Sequence, residues 1–187
     1  MRFIGLFFFI FTFHYAQKTC VYSINETDSI GTFKLTKEIL MYEKTFGDSH
    51  KYIYFALGND NGLPFLNMSI IEKDNQFIPT ICFDNKSKLY VQLSNGKILS
   101  LLSNEVEKCS QNLAGIDGVK YSRIVQSNFL FPKNTWNELK NDTIEILRIS
   151  SSTSSQDIVI KDVIESSINK DFYRPNQIFM DFLHCIE

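Results

Sequence analysis

Histidine is scarce in this 187-residue chain, with three in all, and the motifs that give histidine or cysteine a chemical role are missing with it. There is no Cys-x-x-Cys, no His-Glu-x-x-His and no clustered histidine, so no metal centre is expected. No Gly-x-Ser-x-Gly elbow presents a serine, and no glycine-rich loop offers to cradle a phosphate. The 19 Lys and Arg are scattered among 21 Asp and Glu at a net charge of -2, without a basic cluster, which argues against nucleic acid as a partner. After Phe13 every apolar stretch is interrupted by charge within a few residues, so no later transmembrane span is expected. The expectation is a chain with no cofactor and no nominated catalytic residue.

What is there begins with a leader. Arg2 precedes an apolar run from Phe3 to Phe13, followed by His14, Tyr15 and Ala16. A run of about a dozen residues is too short to cross a hydrocarbon core of about 30 Å as a helix, and fits the apolar region of a cleaved signal peptide. Residues 1–16 are therefore read as a signal peptide and 17–187 as a single domain. An uncleaved anchor is the alternative. Lipid attachment is disfavoured, because Gln17, Lys18 and Thr19 stand before Cys20 where a lipobox needs leucine and small residues. The expected location is secreted, periplasmic or in the cell envelope, and the 44% hydrophobic content suffices for a core.

Export makes Cys20, Cys82, Cys109 and Cys185 disulfide candidates, in any of three connectivities. Cys109 with Cys185 is the pairing expected first, since it would pin both a long polar connection and the chain's end. Free buried thiols are the alternative, Cys82 above all, between Ile81 and Phe83. Four sequons, at Asn25, Asn67, Asn85 and Asn141, are weak glycosylation candidates. An Asn-rich and Ser-rich chain generates such triplets by chance.

The middle of the chain reads as strands. Tyr52 to Leu57, Phe65 to Glu72 and Phe77 to Phe83 are β-branched or aromatic runs, separated by Gly58 to Gly62 and by Lys73 to Gln76. Pro79 places the third run at an edge or a bulge. Asn95-Gly96 then predicts a two-residue type I′ hairpin pairing Leu93 with Ile98, Val91 with Ser100 and Leu89 with Leu102. Leu89, Val91, Leu93, Ile98 and Leu102 would form its core face. Cys20 to Ile24 and Thr32 to Tyr42 look extended, with a helical turn possible over Lys37 to Met41. Residues 103–120 form a long polar connection containing Gly115 and Gly118.

Strand character returns from Tyr121 to Phe131 and from Thr143 to Ile149, the latter paired with Asp157 to Val163 across a flexible serine loop. Thr135-Trp136-Asn137-Glu138 has capping-box spacing and predicts a short helix at 135–140. Ile178, Phe179, Phe182, Leu183 and Ile186 recur at helical spacing, predicting a C-terminal helix over 176–186 with Asn176, Gln177, Asp181 and Glu187 facing water. The predicted fold is mainly β, a β-rich α+β arrangement of an antiparallel meander or sandwich-like sheet with those two helices.

A leader ending in Ala16-Gln17, Asn-Gly turns, a cysteine-bearing loop, the strand Thr143-Ile144-Glu145-Ile146-Leu147-Arg148-Ile149 and the ending Leu183-His184-Cys185-Ile186 together resemble small uncharacterised exported proteins of Bacteroidota. The resemblance is one of layout. It implies an envelope or periplasmic setting and a β-rich fold, and lends no catalytic residue.

Candidate chemistry is thin. His50 beside Asp48 and Ser49 imitates a triad, but neighbours in one loop cannot face one another as a triad requires. His184 reads as a structural histidine. Asn59-Asp60-Asn61-Gly62 imitates a calcium loop yet has Leu57 where the first acidic ligand belongs and no closing glutamate. Asp60 with Asp74 could flank a glycosidic bond only if the fold set them about 5 to 9 Å apart. The favoured function is an exported, non-catalytic binding or structural module, partnered by another exported protein or an envelope component. The alternatives are a secreted hydrolase built on scattered carboxylates, and an inhibitor or immunity-type protein that docks through residues 103–120.

Overall fold

The computed structural model describes residues 18–114 and 120–187; the expected leader over 1–16, the expected start of a mature chain at Gln17, and Gly115 and Gly118 lie outside the described residues. In chain order the strands are β1 (Tyr22–Thr27), β2 (Thr32–Thr36), β3 (Ile39–Phe46), β4 (Ser49–Asp60), β5 (Leu63–Asp74), β6 (Cys82–Asp84), β7 (Lys88–Leu93) and β8 (Ile98–Ser103). There follow β9 (Glu107–Cys109), β10 (Gln111–Ala114), β11 (Tyr121–Leu130), β12 (Ile144–Ser150), β13 (Ser155–Val159), β14 (Ile164–Glu165) and β15 (Phe172–Tyr173). The helices are α1 (Trp136–Asn141) and α2 (Ile178–Phe182). The fold is mainly β and antiparallel.

One large sheet runs β1-β2-β4-β5-β11-β8-β7-β12-β13, with β3 added along β4 and β10 along β11. It curls around its own apolar face. Met41 and Ile53, near one end of that order, share a core with Ile158 and Ile160 at the other, and Lys51 Nζ donates to Gln156 Oε1 across the gap at 2.6 Å. Phe83 and Phe129 meet edge to face near its centre, with ring centroids 5.8 Å apart.

β4 and β5 form the longest hairpin, and the expected break at Gly58 to Gly62 is shorter than the sequence implied. The strands continue through Gly58, Asn59 and Asp60, and only Asn61 (φ 51°) and Gly62 (φ 86°) turn, the positive pair that a type I′ turn requires. Gly58 stays in the strand because Phe65, its cross-strand partner, lays its ring over it. A Cβ there would stand 2.2 Å from the ring's Cζ.

Asn95-Gly96 turns the chain differently from the expected two-residue loop. Gly96 alone has positive φ, at 82°, and its N–H donates to Leu93 O while Leu93 N–H donates to Lys97 O. That is a three-residue loop with a glycine bulge, and it slips the register by one. Gln92 now faces Ile98 and Leu89 faces Leu101, so Leu101 is fully buried while Ile98 and Leu102 are 61% and 50% exposed. Leu89, Val91 and Leu93 remain in the core as expected.

Four further expectations are corrected. Phe77 to Ile81 is not a strand; only β6 survives of the run, because Pro79 cannot donate to a ladder and the segment is tied down by side chains instead. Residues 37–41 carry no helical turn: β3 takes over at Ile39. The capping box is not made, since Thr135 Oγ1 donates to Pro132 O and Glu138 pairs with Lys97. The serine loop is held rather than loose, Ser152 N–H and Oγ both donating to Cys82 O.

The C-terminal helix forms as α2 between 3-10 turns at Pro175–Gln177 and Leu183–Ile186. Ile178, Phe179, Leu183 and Ile186 are buried as their spacing predicts. Asn176, expected in water, is buried and donates to Asp162 Oδ1 at 2.8 Å. Asn59 Nδ2 donates to Ile186 O and Tyr22 Oη to Cys185 O, which fastens the chain's end to the sheet.

Outside the curl, β14 and β15 cover the other face of β3 and β4, where Leu40, Tyr52 and Ile164 pack with Tyr54 and Tyr173. Burial there, reinforced by Tyr173, Glu43, Tyr52 and Glu38, pushes the Tyr54 phenol up from 10.0 to about 12. The neutral phenol is favoured by the fold, so this contribution to stability is intact below the unfolded value and declines as pH climbs from 10.0 towards 12. An ultraviolet titration is expected to show a late-ionising tyrosine that Tyr54→Phe removes. Complete ionisation of the native protein by about pH 11 would contradict this.

Candidate functional site

All four cysteines are bridged, as Cys20 with Cys185 and Cys82 with Cys109. The expected Cys109–Cys185 pair is not formed, because β6 and β9 place Cys82 directly opposite Cys109. Cys185 instead lies beside the segment entering β1. Cys82 is therefore no free thiol. His184 Nε2 stands 3.3 Å from Cys20 Sγ and 3.7 Å from Cys185 Sγ. These three ligand atoms cluster, but a metal needs thiolates, and both sulfurs are committed to each other. The histidine packs there as a structural residue.

The other sequence candidates separate. Asp60 and Asp74 sit at opposite ends of the β4–β5 hairpin, roughly 35 Å apart at about 3.3 Å per residue, which excludes them as a glycosidase pair. Asn59 Oδ1 accepts from Gly62 N and Asn61 Oδ1 from Thr32 N, so the calcium-like loop uses its side chains to close turns. Ser49 bonds the Asp74 carboxylate rather than His50, and the His50 ring stacks on Tyr52 with Nδ1 3.5 Å from its hydroxyl. No serine relay exists there. Asn25 is exposed on β1 and Asn85 in the turn after β6. Asn67 Nδ2 donates to Asn128 Oδ1, and Asn141 Nδ2 to Asn137 O. Within residues 103–120, β9 and β10 and the Cys82–Cys109 bridge replace much of the expected open connection.

The geometry that does converge lies where the curled sheet opens, at the tip of the β3–β4 hairpin. Gly47 (φ 57°) starts a two-residue turn there, setting Phe46 opposite Ser49. Counting back from that turn puts Lys44 opposite Lys51, Lys51 opposite Glu72 and Glu72 opposite Arg123. One charged row thus crosses four strands just beyond the apolar residues Ile53, Ile70 and Val125, which pair in the next row.

A cleft of about 260 Å³ opens over this row. Tyr42, Phe46, Phe77, Ile78 and Pro79 form walls, and Lys44, Lys51, Glu72, Lys73, His50 and Gln156 supply polar edges. Lys51 Nζ meets Glu72 Oε1 at 2.8 Å, both side chains being about four-fifths buried, and it also holds Gln156. Arg123 Nε donates to Ile78 O and Nη1 to Ser110 O, while its guanidinium lies over the Phe77 ring. That residue fixes the wall which Pro79 kept out of the sheet. The Asp74 carboxyl is held below the usual carboxylate range by the Gln76 N–H and the Ser49 hydroxyl, and is ionised at neutral pH.

No family model, curated protein or solved structure matches this chain. The cleft must therefore be judged on its own chemistry. A second concavity of about 360 Å³ lies against Tyr90, Gln92, Ile98, Ile146, Arg148 and Asp157, but its charges satisfy each other, Arg148 gripping both oxygens of Asp157. None of the cleft's row had been singled out from sequence. The signal was present in Gly47-Asp48: pairing outward from that turn sets Lys44 against Lys51.

Proposed function

We propose that this chain is an exported binding module whose ligand occupies the cleft at the open end of the curled sheet, without covalent chemistry. One observation carries the reading: Lys51 and Glu72 on the adjacent strands β4 and β5 and Gln156 on β13, at the far end of the sheet order, are held together through the Lys51 ammonium beside an aromatic-walled cavity. Groups held this way present donors and acceptors in set directions, which suits recognition. The volume is near the lower end for small-molecule sites, about 300 Å³, so the ligand is small. The bridges Cys20–Cys185 and Cys82–Cys109 support an oxidising destination outside the cytosol.

The test is a two-dimensional amide NMR screen of the mature, oxidised protein against small polar and aromatic compounds. Binding is expected to move the amides of Lys44, Lys51, Glu72 and Phe77 together. Hits confined to other surfaces, or turnover of a compound by the protein, would end this reading.

A further inference from the structure

The cleft has one charge too many. Lys44 faces Lys51 directly across the β3–β4 ladder, and like charges in that position destabilise a sheet pair. The natural partner, Glu72, is two strands away from Lys44, about 9.6 Å at the usual strand spacing, with Lys51 in between and already bonded to it. The other carboxylates at this end are engaged as well. Asp74 accepts from Gln76 N–H and Ser49, Asp48 accepts from Asn75 Nδ2, and Glu43 accepts from Ser167 N–H. Lys44 is exposed and lines the cleft, and among the described residues its ammonium has no anionic partner. Lys51, bonded to Glu72 and Gln156, has three donors in all, one more than those two contacts use.

We infer that the cleft takes a small organic anion, a carboxylate on a flat apolar body, and this rests on the binding-module reading above. The carboxylate bridges Lys44 and the remaining Lys51 proton, which relieves the repulsion between the two ammonium groups. The body lies between Tyr42, Phe46 and Phe77, with Ile78 and Pro79 beneath it. A dianion fits less well, because Glu72 and Asp74 border the same cavity. The row therefore favours a single negative charge over inorganic phosphate.

The experiment compares three probes on the oxidised mature protein: 4-hydroxybenzoate, its neutral amide 4-hydroxybenzamide, and inorganic phosphate. Titration calorimetry and amide NMR are expected to place the benzoate in the cleft at least about tenfold more tightly than either of the others. Lys44→Gln is expected to weaken it about tenfold, Lys44→Arg to retain it, and added salt to weaken it in the native protein. Lys44 is exposed, so neither variant threatens folding. Equal binding of the amide, equal binding of phosphate, or an unchanged affinity in Lys44→Gln would each overturn the anion inference. A neutral compound that occupies the cleft in the wider screen, when the benzoate does not, would overturn it while leaving the binding module standing.

Discussion

Replacing Cys20 and Cys185 together by alanine is expected to lower the stability of the oxidised protein by roughly 5 kcal/mol, a large part of the 5 to 15 kcal/mol typical of a folded domain. The bridge closes a sequence separation of 165, so in its absence the unfolded chain recovers nearly all its end-to-end freedom. The same double replacement at Cys82 and Cys109, separated by 27, is expected to cost about 3.5 kcal/mol on the same reasoning. Urea unfolding of the two variants beside the parent measures the order. A variant lacking Cys20–Cys185 that is the more stable of the two would show that local packing, and not chain restriction, governs these bridges.

Leu101→Ala is expected to cost about 2 to 5 kcal/mol, whereas Leu102→Ala, one residue on, should stay within about 0.5 kcal/mol. The two residues are chemically identical before the change, and only the register separates them. Leu101 is fully buried opposite Leu89, while Leu102 is half exposed opposite Lys88. A tight Asn95-Gly96 turn would reverse the ranking, because a shift of one residue sends every side chain of β8 to the other face. Thermal or urea unfolding of the pair decides between the two turns.

That hairpin also shows how far the sequence could be read. The runs of β-prone residues marked most strands, since alternation and β-branching report on a half-buried pleat wherever the strand lies. Turn type was less legible. Asn61-Gly62 and Asn95-Gly96 are the same dipeptide, yet only the first takes positive φ at both residues. Thr143 O accepts from Ser94 N–H beside the second turn, and such a distant contact leaves no mark in the local sequence. The Cys82–Cys109 pairing was hidden for a similar reason, because β6 and β9 are three residues each and too short to show a pattern. The cleft lay deeper still. Its row depends on registers across β3, β4, β5 and β11, and a lysine gives no local sign of the strand opposite.

The Cys20–Cys185 bond also alters how the molecule meets mechanical force. Tension applied through residues before the first of these cysteines and after the second passes directly between them as a covalent load. The curled sheet within the loop carries none of it. A motor that pulls on one tail to extract and thread the chain must unfold the sheet and then still swallow a double strand or await reduction, so the bond adds a topological obstacle to the strength of the fold.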